Sequence, residues 1–535
     1  MSSKPSSSPE WEDKTVYPST TPADDLNYNG HEHAQYTDVE VALGEDEITQ
    51  RNPIFRKLGG LFNKGVEARG IERVPEDERD GKHTIGLLLL WWSVNMVVST
   101  LPIGLLAQAY YTLTFHSAVA AIVTFTALGA AFTAFIATLG PKTGLRTMVI
   151  TRYSVGYIGA TIFSVLNILT QLGFSVVAII LGGQTLTNVS NDKLPVEASI
   201  VIVGFLAVVL CFVGYEALHL WERYAWILLF IFYCCMWGLA GHKGFEMGAQ
   251  QAKQATGKEY AGDFLSFGGI VFSSASGWAP VAADFNCRLP SNIKAWKVFL
   301  LTWFGLMVPL LFVEILSAAL MTVPAYAEAF EEGDAGGVLA TVFEPWGGGG
   351  KFILVIFAFS IISNLIPNTY SAALSCQCLL PAFQKIPRAL WTILVFVIYT
   401  VAAVAGRDHF SEILSNFLAI LGYWIAFFVV VVFEEHYIFR YLFHRQGDNS
   451  GGPSRGYDLN IYDNFKKLPI GIAGILACCC GAGAAVVGMA QVWYIGPVGK
   501  LFGEYGGDLG FEMSAIVTAI IYPPLRYIEY RLVGR

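Results

Sequence analysis

The chain has 535 residues, 54% hydrophobic and 14% charged, with a formal net charge of -8 and a mean hydropathy of +0.50. Soluble domains carry about 25% charged residues, and most of residues 84–530 reads instead as apolar blocks of the ~20 residues that a membrane-crossing helix needs. That excludes a soluble enzyme with a large core, and the acidic balance, concentrated near the N-terminus, gives no reason to expect a nucleic-acid partner.

In chain order, residues 1–50 are rich in Ser, Pro, Asp, Glu and Thr and are expected to be disordered. Residues 51–80 are densely charged with mixed sign, a juxtamembrane segment. The first 30 residues lack the basic-then-apolar pattern of a cleavable signal, so the first span itself directs insertion. The pattern then predicts an all-α polytopic membrane protein with twelve transmembrane helices. They lie near 84–109 (α1), 117–139 (α2), 155–187 (α3), 197–215 (α4), 224–241 (α5), 264–286 (α6), 297–322 (α7), 352–380 (α8), 389–405 (α9), 411–433 (α10), 469–492 (α11) and 511–530 (α12). The division is a cytosolic tail, 1–80, and a transporter domain, 81–535. The connections at 188–196, 242–263 and 323–351 are polar and expected to be external loops.

Lys and Arg set orientation. Fourteen of them flank one side (Lys142, Arg146, Arg152, Arg223, Arg288, Lys294, Lys297, Lys385, Arg388, Arg440, Arg445, Arg455, Lys466, Lys467), against seven on the other (Lys193, Lys243, Lys253, Lys258, Lys351, Arg407, Lys500). The richer side is cytoplasmic, which places both termini in the cytoplasm, and a plasma-membrane location is expected. The nine cysteines fall mostly in apolar runs without zinc spacing and read as small packing residues.

Two spans carry helix breakers near their middles: Pro102 and Gly104 in α1, Gly277 and Pro280 in α6. They are five spans apart. Breakers at corresponding places in two halves point to a 5+5 inverted repeat, about 84–241 and 264–433, with a binding site between the halves and α11–α12 appended. In α8 the run "ISNLIPNTYS" places Asn364, Pro367 and Asn368 in apolar sequence. An unpaired amide in hydrocarbon is costly, so Asn364 is expected to face a cavity, with Asn368 and Tyr370 on other faces. Ser99 and Thr100 lie at the first break, where a hydroxyl meets a substrate or caps a freed carbonyl. Glu314, apparently inside α7, is a functional candidate because intramembrane carboxylates usually are, and a proton is what it could carry. Asp284, near the inner end of α6, reads as a gate or a helix cap.

The motifs "WWSVNMVVSTLPIG" (91–104), "SGWAPVAADF" (276–285), "SNLIPNTYS" (363–371), "EEHYIFR" (434–440) and "KLPIGIAG" (467–474) resemble those of the fungal purine–cytosine permeases, as do "GIERVPEDER" (70–79) and "LGPKTGLR" (139–146). The likeness runs from about residue 65 to the C-terminus. These permeases belong to the nucleobase–cation symporter family, which has the LeuT-type fold. The resemblance implies uptake of purine bases or cytosine, coupled to protons, at a site between α1, α3, α6 and α8. It implies that Phe174 and Trp278, beside Gly277, sandwich a flat ring, that Asn364 reads its edge, and that Pro367 distorts the helix next to it. The sequence departs from the family pattern at Ala178 and Leu365, where relatives carry amides. Gln171, three residues before Phe174 and so near the same helix face, is a candidate replacement. Sodium-coupled relatives use hydroxyls in α8, where this chain reads "FAFS" and offers only Ser360, which favours protons. No bound cofactor is expected.

The weakened polar edge keeps a second heterocycle, vitamin B6, open as substrate. A nutrient receptor would need a signalling module that the tail lacks. A channel would need a continuous polar lining. A membrane enzyme would need clustered His, Cys or acids, and the nine histidines are scattered.

Overall fold

The computed structural model describes residues 70–79, 84–191, 193–211, 215–248, 254–443 and 456–535. The chain divides after Gly60 into two units, and every described residue belongs to the second. The predicted disordered tail, residues 51–69, and Lys253, Arg445 and Arg455 of the charge comparison lie outside the described residues.

A helix or helix pair stands at each predicted position. α1 comprises Thr84–Asn95 and Leu101–Ala109, α2 Phe115–Thr143, α3 Arg152–Val189, α4 Val196–Cys211, α5 Tyr215–Lys243 and α6 Lys258–Ser276 with Ala282–Asn286. α7 is Ala295–Leu320, α8 Gly347–Ser360 with Ile362–Leu379, α9 Arg388–Gly406, α10 Phe410–Glu434, α11 Ile472–Gly488 and α12 Gly510–Val533. Helices dominate because in hydrocarbon each backbone N–H and C=O must be satisfied within its own segment. Among the described residues, seven helical stretches are long and apolar enough to cross a membrane, or eight if the bent pair of α1 is one span. Length and composition therefore account for fewer crossings than the twelve expected.

Three expectations are corrected. The break in α1 lies upstream of Pro102: Val97 is extended (φ -131°, ψ 159°) and the two halves meet at 64°. Pro102 sits in the first turn of the second half, where its missing N–H costs nothing. The expected loop 323–351 contains a helix, Pro324–Phe343, kinked at Gly333 and Asp334. α11 ends at Gly488, and a two-stranded hairpin, Ala490–Gln491 with Tyr494–Ile495, occupies the rest of its predicted length.

The helices pack in two groups. In the first, α7 lies against α1 and α2, and α2 lies against α6. Gly104 makes the α1–α7 approach: a Cβ there would stand 2.1 Å from the Glu314 carbonyl oxygen. In the second, α3 packs on α4 and α8, and α9 on α4 and α8. The pattern is that of a two-fold relation exchanging α1 with α6, α2 with α7 and α3 with α8. Partners five helices apart must run in opposite directions.

The end with the Lys and Arg excess is tied by buried ions. Glu435, where α10 passes into the π-helix Glu435–Phe443, accepts from Arg526 Nε (3.0 Å), Arg440 Nε (2.8 Å) and the Tyr522 hydroxyl (2.8 Å). Glu529 of α12 caps the start of α11 through the Gly471 and Ala473 N–H groups, both at 2.8 Å. Gly471 is left-handed (φ 86°) and passes so close to α3 that a Cβ would stand 1.9 Å from the Val155 carbonyl oxygen.

Candidate functional site

The break in α1 frees backbone groups that lack partners in the helix, and side chains of other spans and of the break itself take them up. Val94 C=O accepts from Asn364 Nδ2 (3.1 Å), Asn95 C=O from the Thr100 hydroxyl (2.9 Å) and Val97 C=O from the Tyr233 hydroxyl (2.9 Å). Val98 N–H donates to Ser360 Oγ (3.1 Å). Thus α8, through Ser360 and Asn364, holds both strands of the opening. α6 is interrupted at Gly277 and Trp278, with a 3-10 turn at Ala279–Val281, yet Lys258–Asn286 stays a single span without the bend of α1.

The two breaks meet through one hydrogen bond. Trp278 Nε1 donates to Asn95 Oδ1 (3.0 Å), and Trp91 packs edge-on against the Trp278 ring (centroids 5.7 Å apart, 71°). Phe174 of α3 faces Trp278 in a nearly parallel plane, 8° apart with centroids 6.3 Å apart, toward the wide end of direct aromatic contacts. Gly277 allows this approach, because a Cβ there would lie 2.6 Å from Phe174 Cζ. The structure thus brings Phe174, Gly277, Trp278 and Asn364 to one place, between the two helix groups.

Asn364 also accepts from Asn368 Nδ2 (2.8 Å), so Asn368 shares its face rather than taking another. The reason is their i, i+4 spacing. Pro367, inside the second half of α8, removes the N–H that would have reached Ser363. Gln171 donates to Asn167 Oδ1 (2.9 Å), and Asn167 donates to Ser371 and Ser375 of α8 (3.1 and 2.8 Å). Since α3 and α8 run antiparallel, this register brings Gln171 level with Asn368. Each keeps a buried carbonyl oxygen without a protein partner. Thr100 is a cap, as its bond to Asn95 shows, while Ser99 lies half-buried beside it. Ala178 and Leu365 are fully buried.

Rings close the site on both sides. Toward the end with the Lys and Arg excess, Phe285 packs on Trp91 and stacks on Tyr370, and the Arg146 and Arg388 guanidinium groups lie over Tyr370. Toward the opposite end Phe417 of α10 packs edge-on against Phe174 (5.2 Å). Trp278 and Asn364 are accordingly 4% and 8% exposed. Asp284 is a cap that also ties helices together: its carboxylate accepts from Thr147 N–H (2.7 Å), and Arg146 donates to its backbone carbonyl (2.7 Å). Glu314 lies away from the ring pair, in the core of the first helix group.

Asn95, Ser360 and Tyr233 are the residues that sequence reasoning did not place in this role. The available signal was an amide within one turn of a helix break. A separate cavity of about 670 Å³ lies between α2, α7 and α10, lined by Leu128, Phe132, Phe135, Trp296, Phe433 and Tyr437 among others. Its lining carries no side-chain amide or charged group; its polar side-chain atoms are the Thr138 and Tyr437 hydroxyls and the Trp296 indole N–H.

Residues 73–498 match the family described as permease for cytosine/purines, uracil, thiamine, allantoin. The chain is 37% identical over 500 residues to the purine-cytosine permease fcyB of Emericella nidulans, covering 92% of this chain and 95% of that protein. It is 33% identical to the purine-cytosine permease FCY2 of Saccharomyces cerevisiae (90% and 89% covered) and 31% identical to the vitamin B6 transporter TPN1 of the same yeast (93% and 93%). Among solved structures, Mhp1, a nucleobase-cation-symport-1 family transporter in a closed conformation with bromovinylhydantoin bound, superimposes with a TM-score of 0.64 at 15% identity, covering 87% of this chain and 96% of its own. Its inward-facing form gives 0.63. The fold is therefore that of the LeuT-like transporters, as the two matched helix breaks predicted.

Proposed function

Because the chain belongs to the family of permeases for cytosine/purines, uracil, thiamine and allantoin, we propose that it imports purine bases and cytosine by proton-coupled alternating access. It is a multi-pass membrane transporter and not an enzyme. The observation that carries the substrate reading is the parallel Phe174–Trp278 pair at the meeting point of two broken helices. A flat heterocycle stacks on aromatics with about 1–3 kcal/mol per base, whichever base it is. Selection then falls to the rim, where Asn364, Asn95 and Gln171 are amides, groups that both donate and accept.

Protons rather than sodium are supported by Ser360. Its hydroxyl accepts Val98 N–H and donates to the Phe357 carbonyl (2.7 Å), which leaves it little capacity for a cation. The Lys and Arg excess supports cytoplasmic termini and a plasma-membrane location, with residues 1–80 as a cytosolic tail. Vitamin B6 is the second reading, favoured by the apolar, buried Ala178 and Leu365 and by the likeness to TPN1.

Uptake of radiolabelled cytosine, adenine, hypoxanthine and pyridoxine, in cells lacking their own carriers, tests this. Saturable base uptake that rises as external pH falls, collapses with a protonophore and ignores sodium is expected. Trp278→Ala should abolish it at unchanged surface level. Pyridoxine uptake without base uptake would replace the leading reading with the second, and normal kinetics in Trp278→Ala would move the site elsewhere.

A further inference from the structure

Glu314 is a carboxylate set among the helices of the first group, and it is 0% exposed. It forms no ion pair among the described residues. Its partners are two hydroxyls: Ser274 of α6, 3.0 Å from Oε1, and Thr126 of α2, 3.3 Å from Oε2. Its backbone carbonyl lies where Gly104 lets α1 approach. A single residue of α7 therefore touches α1, α2 and α6. An ion so placed, with no counter-charge, would be costly, and intramembrane carboxylates are rare enough to need a reason.

Counting protons gives one. Ser274 Oγ lies 2.8 Å from the Val271 carbonyl and 3.0 Å from Glu314 Oε1, yet a hydroxyl has one proton. If Ser274 donates to Val271, the contact with Glu314 is a hydrogen bond only when Glu314 is protonated and donates to Ser274. Then Thr126 donates to the other carboxyl oxygen, and every group in the chain is satisfied. If Glu314 is ionised, Ser274 must turn its proton to the carboxylate and release Val271. Ser274 stands three residues before Gly277, where α6 breaks, so the exchange is felt at the turn that carries Trp278.

We propose that Glu314 carries the coupling proton, and that the Ser274 hydroxyl passes its protonation state to the break in α6. This rests on the proton-coupled reading above. The carboxylate takes a proton from hydronium, leaving water, when the outer path is open, and returns it to water on the inner side; nothing else is consumed. α7 packs against α1, α2, α5 and α6. The two halves of α1 contain no titratable residue. On the others, His116 and Lys142 of α2, Lys258, Glu259, Tyr260, Asp263 and Asp284 of α6 and Lys297 of α7 lie ten or more residues from the contacts with Glu314, about 15 Å along a helix. From α5, Tyr233 packs on Phe312 of α7, with its hydroxyl committed to Val97. On α5, Glu216, His219, Glu222, Arg223, His242 and Lys243 are nine or more residues from Tyr233 in sequence, and among the described side chains of α1, α2, α6 and α7 no other charge lies within nine residues of the contacts with Glu314.

The test uses the full chain in two assays. In vesicles with an imposed pH gradient, accumulation of radiolabelled cytosine or adenine should change about tenfold per pH unit for one proton per substrate. Glu314→Gln, which keeps shape and hydrogen-bonding atoms but cannot ionise, should still exchange substrate across the membrane while its accumulation ratio stays near one. Full pH-dependent accumulation in that variant overturns the proposal and leaves the transport reading intact. In the second assay, pH-difference infrared spectra of the purified protein should contain a titrating carboxylic-acid C=O band that Glu314→Gln removes and Ser274→Ala shifts. This reading needs no substrate, so it judges Glu314 even if neither base is transported and the substrate reading fails. Spectra in which Glu314→Gln loses no titrating band overturn the proposal, as does, should that variant not reach the membrane, an unshifted band in Ser274→Ala.

Discussion

Trp278 commits its only indole proton to Asn95, and that single bond joins the two broken helices. Removing either partner leaves the other buried and unsatisfied, which costs about 1–3 kcal/mol, or roughly tenfold to hundredfold in apparent affinity. Trp278→Phe retains a stacking ring but loses the donor, and Asn95→Ala loses the acceptor. Each should raise KM for base uptake by that order, and the double variant should lose little more than one single variant, because the second change removes a group already orphaned. Additive losses in the uptake assay would show that the two side chains act separately. The pairing of the Phe174 and Trp278 rings was legible because the family resemblance names both, Trp278 beside Gly277. Asn95 was not, since a lone amide in an apolar run gives no clue to which helix it will meet. Asn368 was assigned to another face although its spacing from Asn364 is that of helical neighbours. Pro367 between them had suggested a distortion larger than the one that occurs.

Among elements, apolar length revealed where helices lie, but not where they stop or bend. Pro102 marked α1 as broken, yet the break falls at Val97, because a proline is accommodated in the first turn of a new helix. Pro324–Phe343 was hidden by its own polarity: "EAFEEGDAGG" reads as a loop, though its buried Tyr326, Phe330, Leu339 and Phe343 anchor it. Several motifs that carry the family likeness turn out to hold helices together rather than to touch the ring pair. "EEHYIFR" supplies Glu435 and Arg440, and "KLPIGIAG" supplies the Gly471 crossing over α3. Arg526 and Glu435 are each 2% exposed in their side chains. Loss of one member of such a buried pair costs about 3–5 kcal/mol. Glu435→Gln should therefore lower the thermal stability of the purified protein sharply. Asp463→Asn should change it by about 1 kcal/mol or less, because Asp463, the partner of Arg152, has a half-exposed side chain (48%) and an amide still accepts. Similar melting shifts in both variants would deny the Glu435 cluster its special weight.

At the scale of the whole molecule, the candidate site lies where the two helix groups touch, and the contacts there differ from those within each group. Inside the first group Glu314, Thr126 and Ser274 bond across three helices, and inside the second Asn167 bonds Ser371 and Ser375. Between the groups, ties among the described residues include Asn364 to Val94, Ser360 to Val98, the Phe174 ring against Gly277 and Trp278, and Phe285 stacked on Tyr370. Packed interiors shift as units rather than deforming continuously, so opening the site should separate the groups along this seam while each keeps its shape. The connections at the end with the Lys and Arg excess report on it. Asn292, in the link between α6 and α7, belongs to the first group; Lys385, between α8 and α9, to the second; both are exposed. Spin labels at Asn292→Cys and Lys385→Cys, in a background with the exposed Cys234, Cys479 and Cys480 replaced, should show a distance distribution that changes when cytosine is added at low pH. A control pair within the first group, Lys142→Cys and Asn292→Cys, should keep one distance throughout. If the control pair moves as much as the pair across the seam, the helix groups do not move as rigid bodies, and the ties at the two breaks are not the hinge of transport.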